Sequence, residues 1–189
     1  MSGEPLALFE LDSVASGLRC IDVMVKKAPI IILEANLIEP GNFLILYTGS
    51  LACVEESSQE ALYHYPHAKG HILLATVHDQ LLSGLRGTLK KQTAEEYDSL
   101  GIVESHSISD SLLCCDRVLK ESYVDLVGIR ISGGLGGKGY FVVCGAQHDV
   151  EEALSEANKQ ATLHRSELIA RPHEDMVAWL FRTTPFHFS

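Results

Sequence analysis

A glycine-rich loop between two apolar runs is the first place in this sequence where residue types and spacing could support chemistry. Seven of the fifteen glycines lie within residues 128–145, and residues 134–139 fit the GxGxxG pattern of dinucleotide-binding sites. In such sites the loop follows a strand and opens a helix, but residues 140–144, YFVVC, have the composition of a strand. A P-loop is excluded because Lys138 is followed by Gly139, where Ser or Thr is required. We therefore predict a strand-loop-strand unit in which glycine allows backbones to approach closely.

Histidines and cysteines are the other candidates for catalysis or metal binding. His64, His67 and His71 have an HxxH-like spacing, which is weak evidence for metal, and we expect a surface loop there. No HExxH or CxxC motif and no well-spaced Ser-His-Asp or Cys-His set occurs. We predict no catalytic residues and no enzymatic activity. The cysteines are expected to be small buried hydrophobic residues in helices and one strand: Cys20, Cys53, Cys114, Cys115 and Cys144.

Composition and charge narrow the class of protein. The 189 residues are 46% hydrophobic and carry a net charge of -10, which argues against nucleic acid and anionic membranes as partners. No apolar run approaches the roughly 20 residues of a membrane span, and the first ten residues, MSGEPLALFE, do not resemble a signal peptide. An odd number of cysteines suits a reducing compartment. We expect a cytoplasmic globular protein.

The same residue pattern occurs twice in the chain. An offset of 94 residues relates the two halves up to the glycine-rich loop, an offset of 96 applies after it, and an offset of 95 applies near the end of each half. Matching over roughly 80 residues, with insertions only in loops, indicates a duplicated domain. The matching pairs include Glu10 and Glu104, Asp22 and Asp116, Lys26 and Lys120, Gly49 and Gly145, and His78 and His173.

Each repeat predicts the element order β-α-β-β-α-β. In the first repeat the expected strands are residues 6–11, 30–33, 43–47 and 71–75, with a loop over 36–42. In the second repeat they are residues 99–104, 124–131, 140–144 and 167–170, with helices over 108–121 and 150–163. Two helices on one antiparallel or mixed sheet form an α+β sandwich.

The first helix is expected to begin after Ser13 as its N-cap. Its apolar face, with a period of 3.6 residues, is predicted to comprise Val14, Leu18, Ile21 and Val25.

The polar connector GTLKKQTAEEYD, residues 87–98, predicts the domain boundary, with domains at 1–93 and 94–189. The second domain ends in an aromatic tail from Glu174 to Ser189. It is interpreted as a helix and strap covering apolar surface, with a docking surface for another protein as the alternative. The apolar residues of the tail are Met176, Trp179, Leu180, Phe181, Phe186 and Phe188.

These patterns resemble the bacterial microcompartment shell domain, or BMC domain. The resemblance is carried by DVMVKKA from Asp22, by GIVE followed by DRVLK in the second repeat, and by ARPHEDM near the end. Two such domains in the ordinary strand order are similar to the tandem-domain trimeric shell proteins, in particular those of the propanediol-utilisation type, which GLGGKGYFVV also resembles. The resemblance covers nearly the whole chain.

The resemblance implies a homotrimer that imitates a hexamer and packs edge to edge with other shell proteins around enzymes. Lys26 and Lys120 match the lysine at the tile edge of the family, and Arg171 and His173 belong to its edge R-P-H motif. In the first repeat Thr76 and Val77 replace the Arg and Pro, which predicts a weaker or differently tuned edge contact.

The resemblance also implies a central pore for small solutes, lined by the loop between the second and third strands of each repeat. The expected pore-lining residues are Ile38, Glu39, Pro40 and Gly41 in the first repeat and Gly133, Gly134, Leu135, Gly136 and Gly137 in the second.

The resemblance further implies that Glu39 stands where similar tandem shell proteins carry a cysteine that holds an iron–sulfur cluster. Because such clusters need thiolates and neither loop contains cysteine, we predict no cluster and no other cofactor. Three Glu39 carboxylates around an axis would splay into solvent, take up a proton or bind a cation. We expect splaying and no dedicated metal site. An alternative to the shell tile is a trimer of similar α+β fold that senses a small molecule or binds a metal and does not form sheets.

Overall fold

A computed structural model of the protein describes residues 3–90, 97–133, 135–159 and 163–180, with the side chains of Ala178 and Trp179 excepted. The chain divides between Val77 and His78 into two compact units. The elements of the first unit are β1 (Leu6–Leu11), α1 (Val14–Lys27), β2 (Ile31–Ile38), β3 (Asn42–Thr48), α2 (Leu51–His64) and β4 (Gly70–Leu74). Those of the second are α3 (Asp79–Leu85), β5 (Ser99–Ser105), α4 (Ile108–Glu121), β6 (Asp125–Arg130), β7 (Gly139–Gly145), α5 (Gln147–Asn158), β8 (Leu163–Ala170) and α6 (Glu174–Leu180).

The first unit is a four-stranded antiparallel sheet in the order β2-β3-β1-β4, with α1 and α2 packed against it. Ser13 and Ser50 cap the two helices by accepting backbone N–H groups of Ser16 and Cys53. Helix α1 buries Gly17, Cys20 and Met24, and its core contacts include Phe9, Ile45 and Tyr47. The predicted β-α-β-β-α-β order is confirmed.

The second unit repeats this sheet as β6-β7-β5-β8, also antiparallel, with α4 and α5 against it. A second apolar cluster contains Leu100, Val142 and Val177, with Met176 and Leu180 of α6 packed against it. Helix α3 follows the last strand of the first repeat, but it packs on β6 and α4 within the second unit. The α+β class and the duplication are therefore confirmed.

Strand register is duplicated along with the sequence. In the first sheet Ala7 pairs with Tyr47, and in the second Gly101 pairs with Val143, which are the positions expected from the offsets of 94 and 96. Each second strand also shifts register at the same point, between Ile32 and Glu34 in β2 and between Leu126 and Gly128 in β6. The two repeats thus share even their irregularities.

Several predicted boundaries are wrong. Strand β2 extends to Ile38 instead of ending at residue 33, because the turn is made by Pro40 and Gly41, whose φ is 109°. Helix α5 spans Gln147–Asn158 instead of 150–163, and β8 begins at Leu163 instead of 167.

The expected surface loop of histidines is only partly observed. His64 ends α2 and His71 lies in β4, where its ring packs edge-on against Phe9 at a centroid distance of 5.5 Å. Burial lowers the pKa of His71, so this histidine is a partly buried neutral side chain.

Of the four residues predicted for the apolar face of α1, Ile21 packs against the core of this unit, whereas the other three are exposed. Val14, Leu18 and Val25 are 42%, 58% and 44% exposed, while Gly17, Cys20 and Met24 are buried beside them. The tail prediction is met by helix α6 as far as Leu180, and residues 181–189 lie outside the described part of the chain. Within the described residues, no helix has the length and apolar character needed to cross a bilayer.

Candidate functional site

The loop between β2 and β3 is short and presents a carboxylate. Ile38 is buried, whereas Glu39, Pro40 and Gly41 are exposed. The backbone N–H of Gly41 donates to the Ile38 carbonyl at 2.9 Å, and the positive φ of Gly41 closes the turn. The side chain of Glu39 therefore lies at an exposed loop tip between two strands of one sheet.

The loop between β6 and β7 is longer and is built from glycine. Gly133, Gly136 and Gly137 have φ values of 88°, 61° and 86°, which favour glycine over any other residue. The N–H of Lys138 donates to the Leu135 carbonyl at 3.2 Å. Gly134, predicted to line the pore, lies outside the described residues. The rest of the predicted set occupies these two corresponding loops.

The residue that ends each loop contacts a side chain on another strand of its own sheet. Asn42 Nδ2 donates to Glu10 Oε1 at 2.6 Å. Burial raises the pKa of Glu10, while Asn42 and Lys69 lower it to a smaller extent. The corresponding residues of the second repeat are Glu104, Lys138 and His164.

In the second repeat this group is more exposed and has a different chemistry. Lys138 Nζ lies 3.2 Å from His164 Nε2, which is 3.6 Å from Glu104 Oε2. The His106 ring packs edge-on against His164 at 4.8 Å between centroids. The sequence analysis did not identify either group, although the repeat offsets pair all three positions.

The predicted edge lysines form equivalent ion pairs with an aspartate four residues earlier. Lys26 Nζ lies 2.6 Å from Asp22 Oδ2, and Lys120 Nζ lies 2.5 Å from Asp116 Oδ2. The side chain of Asp22 is 57% exposed, whereas that of Asp116 is 5% exposed.

The R-P-H segment has a strained backbone and a histidine cap. Arg171 has a φ of 49°, and its N–H donates to the Asp98 carbonyl at 2.8 Å. His173 Nδ1 accepts the Asp175 N–H at 3.3 Å, as His78 Nδ1 accepts the Gln80 N–H. Each histidine thus accepts the backbone N–H two residues later, at the start of the following helix.

Four large apolar side chains of the first unit are left exposed by the described part of the chain. They are Val14, Leu18 and Val25 of α1 and Leu37 of β2, which are 40–60% exposed. We call them the α1 strip. In the second unit the corresponding residues Ile108, Leu112, Leu119 and Ile131 are at most 5% exposed.

Helix α3 packs on β6 and α4 of the second unit, the elements that carry or adjoin these buried residues. The His78 N–H donates to Asp116 Oδ1 at 2.8 Å. Gln80 Nε2 donates to Asp125 Oδ1 at 2.7 Å, and Gln80 Oε1 accepts the Leu126 N–H at 2.6 Å. Gly84 lies against Leu126 and Ile129. Helix α3 therefore seals the exposed edge of β6 and the flank of α4, and no corresponding element in the first unit does this among the described residues.

The cysteines occupy the elements predicted for them. Cys20, Cys114, Cys115 and Cys144 are buried, Cys53 is half-buried, and none of the five forms a disulfide. Burial raises the pKa of Cys20 and Cys114 to about 12, so these thiols stay protonated at neutral pH. Across residues 3–90, 97–133, 135–159 and 163–180, no three His, Cys, Asp or Glu side chains cluster so that they could hold a metal ion.

Comparison with known proteins agrees with this architecture. Residues 6–79 and 99–172 each match the family described as the BMC domain. The chain is 32% identical over 183 residues to the bacterial microcompartment shell protein PduT of Citrobacter freundii, covering 92% of this chain and 95% of that protein.

Solved structures show the same fold. A microcompartment protein from Desulfitobacterium hafniense superposes with a TM-score of 0.83 at 28% identity, covering 94% of this chain and 99% of the other. A double-ringed trimeric shell protein of the RMM microcompartment shares the fold at 15% identity, with a TM-score of 0.62 and coverage of 82% and 81%. The chain belongs to the BMC domain family, with two BMC domains in tandem.

Proposed function

We propose that the protein is a structural, non-enzymatic tile of a bacterial microcompartment shell. Three chains would form a ring of six BMC domains around a central pore, and the rings would pack edge to edge with one another and with other shell proteins. The observation that carries this proposal is the uncovered α1 strip. Apolar side chains that are exposed here but buried at the corresponding positions of the second unit indicate an interaction site.

The way α3 covers the second unit indicates what would cover the α1 strip of the first unit. Helix α3 follows the first repeat and seals the second unit. Helix α6 follows the second repeat at the corresponding position, with His173 in place of His78. In a closed ring, α6 of one chain would seal the α1 strip of the next. Asp22 would then accept the His173 N–H of that neighbour, as Asp116 accepts the His78 N–H within the chain.

Ring closure also supports the proposed pore. The two loops follow the same strand of each repeat, so a ring of alternating repeats would bring six loops to one axis. The first-repeat loop would contribute three exposed Glu39 carboxylates, and the second would contribute backbone N–H groups and clearance through glycine. Such an opening would favour neutral or cationic small solutes over anions. Lys26, Lys120, Arg171 and His173 would lie at or near the tile edge, where the first repeat carries Thr76 in place of Arg.

The test is a charge placed in the α1 strip. We expect Leu18→Asp to convert a trimer into monomers in analytical ultracentrifugation, because burying one carboxylate in each of three apolar contacts costs several kcal/mol. Arg19→Asp is the matched control, since Arg19 is also exposed on α1 but lies on a different side of the helix. It should remain a trimer.

Electron microscopy then separates a tile from a ligand-sensing trimer. Hexagonal discs that join into sheets at high concentration support the shell function. A trimer that never forms sheets, and whose Tm rises on adding a metabolite, would show that the tile proposal is wrong. A wild-type protein that sediments as a monomer would contradict the ring itself.

A further inference from the structure

The side chain of Arg130, the last residue of β6, carries a buried donor without an acceptor. Its Nε is inaccessible to solvent and forms no hydrogen bond within the described residues. Arg165, on the same sheet, is by contrast paired with Glu167 at 2.8 and 2.7 Å. A guanidinium group has only donors, and a donor removed from water is unfavourable until it meets an acceptor. The fold thus leaves a cationic donor of Arg130 unsatisfied.

Strand pairing fixes the face of the sheet on which Arg130 lies. Side chains alternate between the two faces of a strand, and Ile129 lies against Gly84 of α3. Gly128 and Arg130 therefore belong to the opposite face. Across the sheet they pair with two residues of β7, Val142 and Tyr140. These two residues belong to, or pack against, the apolar cluster that α6 joins.

Open space lies beside Arg130 on this face. A Cβ added at Gly128 would meet no heavy atom within 4 Å beyond its chain neighbours. The φ of Gly128 lies outside the left-handed region, so the backbone does not require glycine at this position. An unsatisfied guanidinium group therefore adjoins an open position that has the apolar side chain of Val142 across from it.

The first unit has the opposite charge at the corresponding positions. The offset of 94 residues pairs Gly128 with Glu34 and Arg130 with Asn36. Glu34 and Asn36 each accept the backbone N–H of the residue that follows them, at 3.1 and 2.8 Å. The first unit therefore has a carboxylate and locally satisfied polar groups here. The second unit has an open position and a cation, which suits an anionic ligand.

Neighbouring charges favour a monoanion over a dianion. Glu104 is the next residue after Tyr140 in the row across the sheet, so it lies about 10 Å from Arg130 at the usual strand spacing. Its negative charge opposes a dianion more strongly than a monoanion. A carboxylate accepts two parallel N–H bonds from a guanidinium group. A short hydrocarbon chain attached to it suits the space over Gly128.

We propose that Arg130 and Gly128 form a binding site for a small aliphatic monocarboxylate. The guanidinium group donates to the carboxylate, and the hydrocarbon chain lies over Gly128 against Val142. Binding turns Nε towards the ligand, which gives this donor the acceptor that the fold does not provide. The site lies within one BMC domain, so it depends neither on ring closure nor on a pore.

Titration of the full-length protein with sodium butyrate, at constant ionic strength, tests the site. The methyl NMR signals of Val127 and Val142 report binding on this face. We expect their shifts to saturate with a Kd on the order of 1–10 mM, because the ligand has few atoms and one charge-assisted contact. Acetate has two fewer methylene groups and should bind about three- to tenfold more weakly. Inorganic phosphate should also bind more weakly than butyrate.

Three variants separate the two parts of the site. Arg130→Gln should weaken butyrate binding at least about tenfold. Arg165→Gln is the matched control, because it removes a cation that is exposed and already paired with Glu167, and its affinity should stay within about twofold of wild type. Gly128→Val, a residue type favoured in strands, should lower the affinity for butyrate to that for acetate.

Shifts that do not saturate with butyrate, or an unchanged affinity in Arg130→Gln, would overturn the proposal. Phosphate that binds as tightly as butyrate would show that the assignment to a monocarboxylate is wrong. A preference for butyrate over acetate that persists in Gly128→Val would show that the chain does not lie over Gly128. The amide spectra of the variants establish that each remains folded. All of these readouts are independent of tile formation, so the two proposals can fail separately.

Discussion

The two repeats use opposite residue sizes at the same contact between helix and strand. In the first unit Gly17 of α1 faces Phe43 of β3, and in the second Ser111 of α4 faces Gly139 of β7. A Cβ added at Gly17 would lie 2.1 Å from the Phe43 ring, and one added at Gly139 would lie 2.6 Å from Ser111 Cβ. Each repeat has a small residue on only one side of this contact, because close packing fixes the summed volume of the two facing side chains.

The repeats also differ in the burial of the aspartate on their first helix. Asp116 is buried beneath α3 and accepts from both Lys120 and the His78 backbone. Asp22 is exposed and is paired with Lys26. The two repeats therefore share one backbone fold, whereas the side chains that contact neighbouring elements differ between them.

The largest expected effect is at Asp116. Asp116→Ala leaves the His78 N–H without its acceptor and the Lys120 ammonium group without its carboxylate. It should lower the unfolding free energy of the second unit by about 2–3 kcal/mol, measured by native-state hydrogen exchange on peptides of α3 and α4.

Asp22→Ala is the paired control for that measurement. In the unassembled chain it should change stability by less than about 0.5 kcal/mol, because the Asp22–Lys26 ion pair is exposed. In the trimer it should weaken association instead. If both variants lost the same unfolding free energy in the unassembled chain, the proposed difference between the buried Asp116 and the exposed Asp22 would be wrong.

A smaller effect is expected from reversing the size relation at the helix–strand contact. Gly17→Ala forces Phe43 to move, which costs about 1–3 kcal/mol, offset by up to about 1 kcal/mol from better helix propensity. Gly139→Ala should behave similarly against Ser111. Denaturant melts of the double variant Gly139→Ala with Ser111→Gly should recover most of the stability lost in Gly139→Ala. Additive losses in the double variant would show that the two residues do not share the contact.

The smallest effect concerns the buried carboxylate of the first unit. Burial raises the pKa of Glu10, so its contribution to stability is complete below the ordinary glutamate range and is lost as the pH rises through the raised value. Glu10→Gln, which can still accept from Asn42, should therefore raise the Tm at neutral pH by about 2–4 °C, and the gain should vanish in acid.

Glu104→Gln is the control, because Glu104 is 40% exposed. Its unfolding free energy should stay within about 0.5 kcal/mol of wild type. A Tm of Glu10→Gln that is unchanged at every pH would mean that burial of this carboxylate carries no cost.

Periodicity and repeat offsets were enough to predict the class and the strand order, and the resemblance of motifs such as ARPHEDM to a known family predicted the family. They could not predict which of two adjacent helix faces packs on its own sheet. Gly17, Cys20 and Met24 are small or flexible and form the intramolecular face, whereas the more hydrophobic positions of the α1 strip are left exposed. Hydrophobicity indicates that a face tends to be buried, but not whether its own unit or another chain covers it.

Side-chain contacts between residues far apart in the chain could not be predicted from the sequence either. Glu10, Asn42 and Lys69 are far apart in the chain, as are Glu104, Lys138 and His164, and only the fold brings each set together. The three repeat offsets nevertheless pair each residue of the first set with one residue of the second set. The location of α3 in the second unit had no such signal, since a short helix after a strand can pack on either neighbour.

The register shifts in β2 and β6 have a consequence for how such a protein stays soluble before assembly. Both strands lie at the edge of their sheets, a position where unpaired backbone groups invite another strand to add on. In β6, Gln80 of α3 already accepts one of these groups, the Leu126 N–H. A bulge at the same position in both edges interrupts the regular spacing of those groups and increases the local twist. Backbone pairing between chains is thereby discouraged, which leaves recognition to side chains and lets growth stay in a plane instead of continuing as a fibril.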